Sequence, residues 1–439
     1  MPINYGSTRV NDVFYGNKRV LQIYQGSNLV YNAEIGLPKG YVELEYIEAT
    51  GTQWIDTEIT PQANILRIVT KCQDTKDTPG GSYFGTVADP APRNGFRIYN
   101  HSQDGSACLQ TVTVKTLPTS LNDILDLDIT VNNGESLSCL CNGTLYTEIN
   151  NTINLTNLTS IVLCATRVGN SVSATIPCKF WGFKVQKEGK TVCNLIPVMR
   201  TSDGTVGMYD LHRRKFLTNS GTGKFIAGNF VLPKGYDELE YIESTGTQYI
   251  DTLYKPNNNT KFRIKYNMTS KRTETVANVP YGVTNIPPVV NMAGNGLFRT
   301  TNGSGSFNRV AWGDETTGSN SGDSLGNNHT IVYGNWCEDY YDQNEIYIDN
   351  DLVYTSTTNP LTVWNSTNNL YIFARNTQGH ADFNSAMKLK SAYATENNLY
   401  KMYLKPARKI SDGTIGMYDL INNKFLTNAG SDDFIIPTN

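Results

Sequence analysis

Charge is scarce in this chain: 18% of its 439 residues are Asp, Glu, Lys or Arg, and the formal net charge is −3. No basic stripe stands out, which argues against nucleic acid or an anionic membrane as a partner. No run approaches the roughly 18 apolar residues of a transmembrane helix, and the start, MPINYGSTRV, lacks the apolar stretch of a signal peptide. The expectation is a protein made in a cytoplasm that does not leave by the general secretory route. The four histidines, His101, His212, His329 and His380, are never paired at metal spacing. Neither a G-x-S-x-G elbow nor a P-loop occurs. On these absences the chain reads as a non-enzyme. Cysteine nearly vanishes from the second half: Cys72, Cys108, Cys139, Cys141, Cys164, Cys178 and Cys193 precede it, and Cys337 stands alone within it.

What replaces charge is Asn, Thr, Ser, Gly and Tyr, a composition of half-buried strands and many turns. The same phrases also return. LPKGYVELEYIEATGTQWIDT at Leu37 recurs as LPKGYDELEYIESTGTQYIDT at Leu232, and SDGTVGMYDLHRRKFLTNSGTGKF at Ser202 recurs as SDGTIGMYDLINNKFLTNAGSDDF at Ser411. The offset grows from 195 to 209, so the second copy carries 14 extra residues in its middle. NGFR at Asn94 faces NGLFR at Asn295, and CNGTLYT at Cys141 faces DNDLVYT at Asp349. Asn142-Gly143 between apolar runs predicts a hairpin. Ile346 and Ile348 alternate with Tyr347 and Asp349, and Trp181, Phe183 and Val185 are read as sharing one strand face. No window predicts an amphipathic helix. Each copy is therefore read as a sandwich of many short strands. Cys164, Cys178 and Cys193 fall opposite Phe373, Met387 and Met402, the exchange expected of buried free thiols rather than of a disulfide framework. Cys139 and Cys141 look like one face of a strand, without the second pair a zinc site needs.

The expected domains are an N-terminal β-repeat attachment module, 1–36, and jelly-roll domains over 37–230 and 231–439. The leader repeats at a period of ten, YGSTRV, YGNKRV and QGSNLV, with Gly6, Gly16 and Gly26 at the turns and Tyr5, Tyr15, Tyr24 and Tyr31 along the strands. Three short strand-turn units make a poor core on their own. Such a segment is ordered by a neighbour, by a partner or by copies of itself. The joint Phe225-Ile226-Ala227-Gly228 before Leu232 is short enough to act as a spacer. Thr300 to Asn328, rich in Gly, Ser and Thr, reads as long surface loops.

The flanking motifs, LPxGYxxLEYIExTGTQYIDT and SDGTxGMYDLxNxKFxTNxGxxxF, resemble those of concanavalin A-like (laminin G-like) jelly-roll domains of bacteriophage virion structural and fibre proteins. The resemblance covers both copies. The leader phrase Ile23-Tyr24-Gln25-Gly26-Ser27-Asn28-Leu29-Val30-Tyr31 is similar to N-terminal segments of phage tail and fibre proteins. The resemblance implies an all-β tandem of jelly rolls exposed on a virion as a head fibre, tail fibre, decoration or adhesin protein. It implies other virion proteins as partners through the N-terminal module, self-association as a trimer or dimer, host surface polysaccharide as a ligand, and release by lysis. The alternatives are a bacterial lectin-like surface module and a polysaccharide depolymerase.

Among candidate sites, Glu43, Glu45 and Glu48 recur as Glu238, Glu240 and Glu243. They do not form the spaced carboxylate string of a jelly-roll glucanase and read as a solvated face. Asp203-Gly204-Thr205 and Asp412-Gly413-Thr414 read as turns. No cofactor is implied; calcium is conceivable but no ligands are assigned. Trp54 and Tyr249 occupy one repeated place and read as core. Trp312, Trp336, Tyr340 and Tyr341, in or beside the divergent centre of the second copy, are the expected ligand contacts, because aromatic faces pack on sugar rings and loops on a rigid scaffold carry recognition.

Overall fold

A computed structural model describes residues 4–5, 8–9, 13–15, 18–20, 22–25, 28–32, 37–88, 95–100, 107–110, 114–117, 123–149, 153–270, 278–284, 296–301, 308–313, 331–342, 345–355 and 365–437. Among them every regular element is a strand. The protein is all-β, a tandem of two-sheet sandwiches. Contacts divide it into two compact units, one holding residues up to Asn229 and the other running from Phe230 to the end, with the turn Thr201–Gly204 grouped in the second.

In the first unit the large sheet runs, in hydrogen-bonded order, Thr144–Ile149, Ser136–Cys141, Ile124–Asn132, Ile65–Asp74, Pro177–Lys187, Lys190–Arg200, Val206–Asp210, Lys215–Leu217. Facing it are Val114–Thr116, Ala107–Gln110, Gly95–Asn100, Ser82–Val87, Val162–Leu163 and Ile55–Asp56. Phe84 of the small sheet meets Phe183 of the large one edge-on, with ring centroids 5.4 Å apart. Alternation builds this core: Leu137, Cys139 and Cys141 are the buried face of their strand. Asn142 and Gly143, both at positive φ (48° and 81°), turn it into Thr144–Ile149, the hairpin the dipeptide predicts. The seven cysteines whose side chains are described are free and buried. Burial pushes the Cys139 thiol up to about 12.

The second unit repeats the plan. Its large sheet runs Asp351–Thr355, Glu345–Ile348, Trp336–Asp342, Thr260–Met268, Ala386–Glu396, Leu399–Lys409, Ile415–Asp419, Lys424–Thr427. Ile250–Asp251, Tyr371–Ile372, Asn278–Thr284, Gly296–Thr301 and Asn308–Gly313 form the facing sheet.

The flanking motifs recur because they clasp each other. Gln53 accepts the Thr50 N–H at 2.8 Å and donates to the Lys224 carbonyl at 3.0 Å. Gln248 accepts from Thr245 at 2.8 Å and donates to the Asp433 carbonyl at 2.9 Å. Asn219 and Asn428 accept the N–H of Trp54 (3.1 Å) and Tyr249 (3.0 Å). At Gly221 and Gly430 a Cβ would stand 2.1 and 2.2 Å from the carbonyls of Thr52 and Thr247, so only glycine lets the two ends approach. Each copy is thus closed front to back by these side chains and by backbone hydrogen bonds, the Ser220 N–H to the Trp54 carbonyl and the Ala429 N–H to the Tyr249 carbonyl, both 2.9 Å.

Three readings change. The leader strands pair as three separate hairpins, Asn4–Tyr5 with Thr8–Arg9, Val13–Tyr15 with Lys18–Val20, and Gln22–Gln25 with Asn28–Asn32. Gly6, Gly16 and Gly26 and the side chains of Tyr5, Tyr15, Tyr24 and Tyr31 lie outside the described part. Thr300 to Asn328 is not all loop, because Asn308–Gly313 pairs along the whole of Gly296–Thr301; residues 302–307 and 314–328 lie outside the described part. Trp181 does not share a face with Phe183 and Val185. The register slips between Lys71/Gly182 and Cys72/Phe180, leaving Trp181 as the extra residue of a bulge. It sits on the outer face, its ring 5.4 Å from Tyr46.

Candidate functional site

The registers of the two large sheets can be superposed through one shared bulge, at Lys71/Cys72 in the first copy and Lys265/Tyr266 in the second. Val69 then corresponds to Arg263, Asp128 to Tyr340, Leu140 to Tyr347, Lys184 to Tyr393 and Asn194 to Tyr403. In the second copy these five residues are direct cross-strand neighbours: Tyr347, Tyr340, Arg263, Tyr393 and Tyr403. They cross five adjacent strands, roughly 19 Å at ordinary strand spacing. All five are half-buried, on the face turned away from the small sheet.

Side-chain contacts hold the ladder in two runs, Tyr347–Tyr340–Arg263 and Tyr393–Tyr403, joined by the pairing of Arg263 with Tyr393. Tyr340 and Tyr347 have ring centroids 5.8 Å apart. The Arg263 guanidinium lies over Tyr340 at 4.6 Å, a cation–π contact, and its other side reaches Glu338 at 3.1 Å. Tyr393 and Tyr403 stack with planes 2° apart and centroids at 5.6 Å. Tyr400 and Phe230 extend this end, at 5.7 and 4.7 Å from Tyr403. The Tyr340 hydroxyl donates to Asp342 at 2.9 Å and that of Tyr347 to Glu345 at 2.6 Å. Burial and the Asp342 carboxylate push the Tyr340 phenol above its ordinary value. The result is a band of ring faces edged by carboxylates, with the phenols protonated at neutral pH. Such a band can stack on apolar ring faces while its edges exchange hydrogen bonds.

Of the expected contacts, Tyr340 is in the ladder. Trp336 is half-buried farther along the same strand and face, 6.1 Å from Tyr241 and 5.6 Å from the Lys390 ammonium. Trp312 lies on strand Asn308–Gly313 opposite Leu297, in the other sheet, and its side chain is outside the described part. Tyr341 is corrected: it alternates inward next to Tyr340, is wholly buried, and its hydroxyl lies 2.9 Å from that of Tyr281. It cannot touch a ligand. Arg263, Tyr347, Tyr393 and Tyr403 were missed, since no local pattern joins residues spread over 140 positions. The signal available was alternation within each strand. Trp54 and Tyr249, expected in the core, are half-buried, with Tyr249 stacked on Tyr371 at 4.9 Å.

Tyr341 belongs to an interior that also differs between copies. Cys72, Phe84, Ile98, Leu125, Leu127 and Ile129 of the first copy give way to Tyr266, Tyr281, Arg299, Cys337, Asp339 and Tyr341. Arg299 and Asp339 are both fully buried and ion-paired. Tyr266 and Tyr281 donate to the same carboxylate at 2.9 and 2.7 Å. Burial opposes the Arg299 charge, but Asp339 outweighs it and holds the guanidinium well above its ordinary value.

Four of the recurring glutamates form surface ion pairs, Glu238 with Lys405 at 2.8 Å, Glu240 with Lys390 at 3.8 Å, Glu243 with Lys388 at 3.9 Å and Glu48 with Lys179 at 4.0 Å, while Glu45 accepts from the Asn229 amide at 3.1 Å. Gly204 and Gly413 turn at φ 70° and 74°. Asp412 is held well below the usual carboxylate range by Lys409 and the Thr414 N–H. Among the described residues no group of three His, Cys, Asp or Glu is placed to hold a metal ion.

No protein-family model matches the sequence, and no curated protein matches it. Solved structures similar to it include the mouse laminin alpha1 chain domains LG4-5, with 11% identity, TM-score 0.28, and coverage of 83% of this chain and 93% of that one. The leech intramolecular trans-sialidase matches with 11% identity and TM-score 0.27, over 90% of this chain and 75% of its own. The NanB sialidase of Streptococcus pneumoniae matches with 9% identity and TM-score 0.26, over 86% and 75%. These likenesses are of fold. They correct one expectation: sialidases stand among the structures similar to this chain, so the reading of the chain as a non-enzyme from its missing motifs does not hold.

Proposed function

We propose that this chain is a bacteriophage virion structural protein, a head fibre, tail fibre, decoration or adhesin protein, whose second copy binds host surface glycans through the aromatic ladder. The ladder of Tyr347, Tyr340, Arg263, Tyr393 and Tyr403 carries the glycan part, because it occurs on one copy only while the frame is common to both. A fold requirement would act on both copies alike. The virion part rests on the flanking motifs and leader phrase, which resemble phage structural proteins, and makes the three leader hairpins the joint to other virion proteins. The assembled form is a dimer or trimer.

Two measurements test this. On a glycan array, the full chain should retain host polysaccharide, and Tyr340→Ala with Tyr393→Ala should lose at least 10-fold in retention. Cross-strand aromatic pairs contribute only about 0.2–1 kcal/mol each to stability, so the variant stays folded. Retention equal to the unaltered chain ends the ladder's role. Protein mass spectrometry of purified particles should find the chain, and a chain lacking residues 2–31 should be absent from them.

A further inference from the structure

The hairpin after the SDGT motif is built differently in the two copies. In the first, the buried Asp210 carboxylate accepts the N–H of Asn194 (3.1 Å), His212 (2.8 Å) and Arg213 (3.1 Å), and is paired with the Arg213 guanidinium. That guanidinium also donates to the Thr57 carbonyl at 2.7 Å and faces Glu58 at 3.5 Å, and Glu58 is held by Lys215 at 2.6 Å. One arginine therefore closes the angle between the hairpin and the segment after Ile55–Asp56.

In the second copy Asp419 takes the same place and accepts the N–H of Tyr403 (3.2 Å), Ile421 (3.1 Å) and Asn422 (3.3 Å). The motif alignment, however, puts Asn422 where Arg213 was and Leu253 where Glu58 was. The Asn422 amide donates to Asp419 at 2.6 Å and to the Lys401 carbonyl at 2.8 Å, and so stays within the hairpin. A cavity of about 480 Å3 is left where the arginine would lie, bordered by Tyr254, Lys255, Lys401, Asp419, Asn422 and Lys424.

The charge at this cleft is one-sided. Lys424 keeps the position of Lys215 while its carboxylate partner has become Leu253; Lys255 replaces Thr60 and Lys401 replaces Val192. All three lysines are exposed. Asp419, the acid in the lining, is already saturated by its own hairpin and Tyr403. Lys401 is 3.9 Å from Glu396, which lies behind the cleft holding the Tyr254 hydroxyl at 2.8 Å. A small inorganic anion would leave most of this volume empty, while 480 Å3 is in the range of organic ligand sites. The wall combines an aromatic ring and leucines with hydroxyl and amide groups, which suits a sugar ring. Lysines, as point charges, receive a carboxylate without the fixed geometry of an arginine fork.

We propose that this cleft binds an acidic saccharide, with the carboxylate of a uronic-acid unit on Lys255 and Lys424 and its ring against Tyr254. The inference deepens the glycan-binding reading, but it stands on a different part of the second copy, so the two fail separately. The probe is oligogalacturonate, with its methyl ester as the uncharged control, titrated calorimetrically into the full chain. The acid should bind, and the ester at least 10-fold more weakly. Asn422→Arg, which installs the first copy's own plug, should weaken the acid at least 10-fold. So should Lys255→Gln with Lys424→Gln, two exposed positions that keep the test alive if the arginine variant does not fold. Tyr340→Ala with Tyr393→Ala should leave this binding unchanged. No binding of oligogalacturonate, equal binding of the ester, or binding that survives the lysine variants or a folded Asn422→Arg chain overturns the proposal. Loss in the ladder variant alone would assign the acid to the ladder and overturn it too.

Discussion

The two copies share a frame and differ in almost everything that frame encloses or displays. Gln53 and Gln248, Asn219 and Asn428, and Gly221 and Gly430 make the same clasp to within a few tenths of an ångström. Inside the frame, the first copy packs Phe84, Ile98 and Leu127 where the second buries Tyr281, Arg299 and Asp339. Polarity at one of these positions alone would cost the desolvation of an unpaired group. It is tolerated because the arginine, the carboxylate and two phenols changed together into an ion-paired, hydrogen-bonded network. The reverse exchange occurs one inward position beyond Tyr266 on the same strand. There Met268 of the second copy faces Asp74 of the first, and Asp74 accepts from Asn100 at 2.7 Å. Closure by backbone hydrogen bonds leaves the interior free to vary, provided that each variation is complete.

The contrast breaks most easily at the buried pair. Asp339→Leu strands Arg299 and should cost about 3–5 kcal/mol, read as faster hydrogen exchange across the second copy with the first unchanged. Adding Arg299→Ile, so that both positions carry the first copy's residues, should restore more than half. A single variant as stable as the unaltered chain would mean the interiors are not different in kind.

A smaller effect separates Asp210 from Asp419. Burial pushes both carboxyls up; Arg213 and the N–H donors overcome this at Asp210 and leave it below the usual range, whereas Asn422 does not at Asp419, which stays above it. Stability from Asp210 is therefore fully present above the unfolded value of about 3.9 and is lost as pH falls through its lowered folded value. Stability from Asp419 is present below about 3.9 and lost as pH rises through its raised folded value. Arg213→Asn should cost the first copy about 1.5–3 kcal/mol at pH 7, the range for a charged hydrogen bond, with the deficit shrinking toward pH 2. Urea midpoints at several pH values read this. A deficit that grows in acid would reverse the assignment.

The smallest effect tests where the copies are interchangeable. Cys193→Met installs the residue of the second copy at a fully buried position and should shift stability by less than about 1.5 kcal/mol. The seven described thiols should react with a maleimide only after unfolding; prompt labelling of any of the seven in the folded chain, located by peptide mass mapping, would contradict their burial.

Much of the fold is written locally. Alternation in NEIYIDN, the Asn142-Gly143 turn and the exchange of cysteines for Phe373, Met387 and Met402 each depend on one strand or one pair of copies, and the repeated phrases mark both frames. The site is not local. Read as text, NGFR sets Arg97 against Arg299; in the sheets Arg299 pairs with Tyr281 as Ile98 pairs with Phe84. The one-residue difference turns a half-buried arginine inward, because side chains alternate with period two. Tyr341 was placed with Tyr340 for the same reason, though neighbours on a strand face opposite ways.

The sequence by itself determined the tandem, the all-β class and the residue types available to each face. Only the tertiary structure decided that five residues far apart along the chain form one ladder, and that losing one arginine opens a cleft. Period-two alternation chooses a side chain's face, but its neighbours on that face follow from register. Register is set by turn lengths and by the bulge at Lys265/Tyr266 acting across every strand at once.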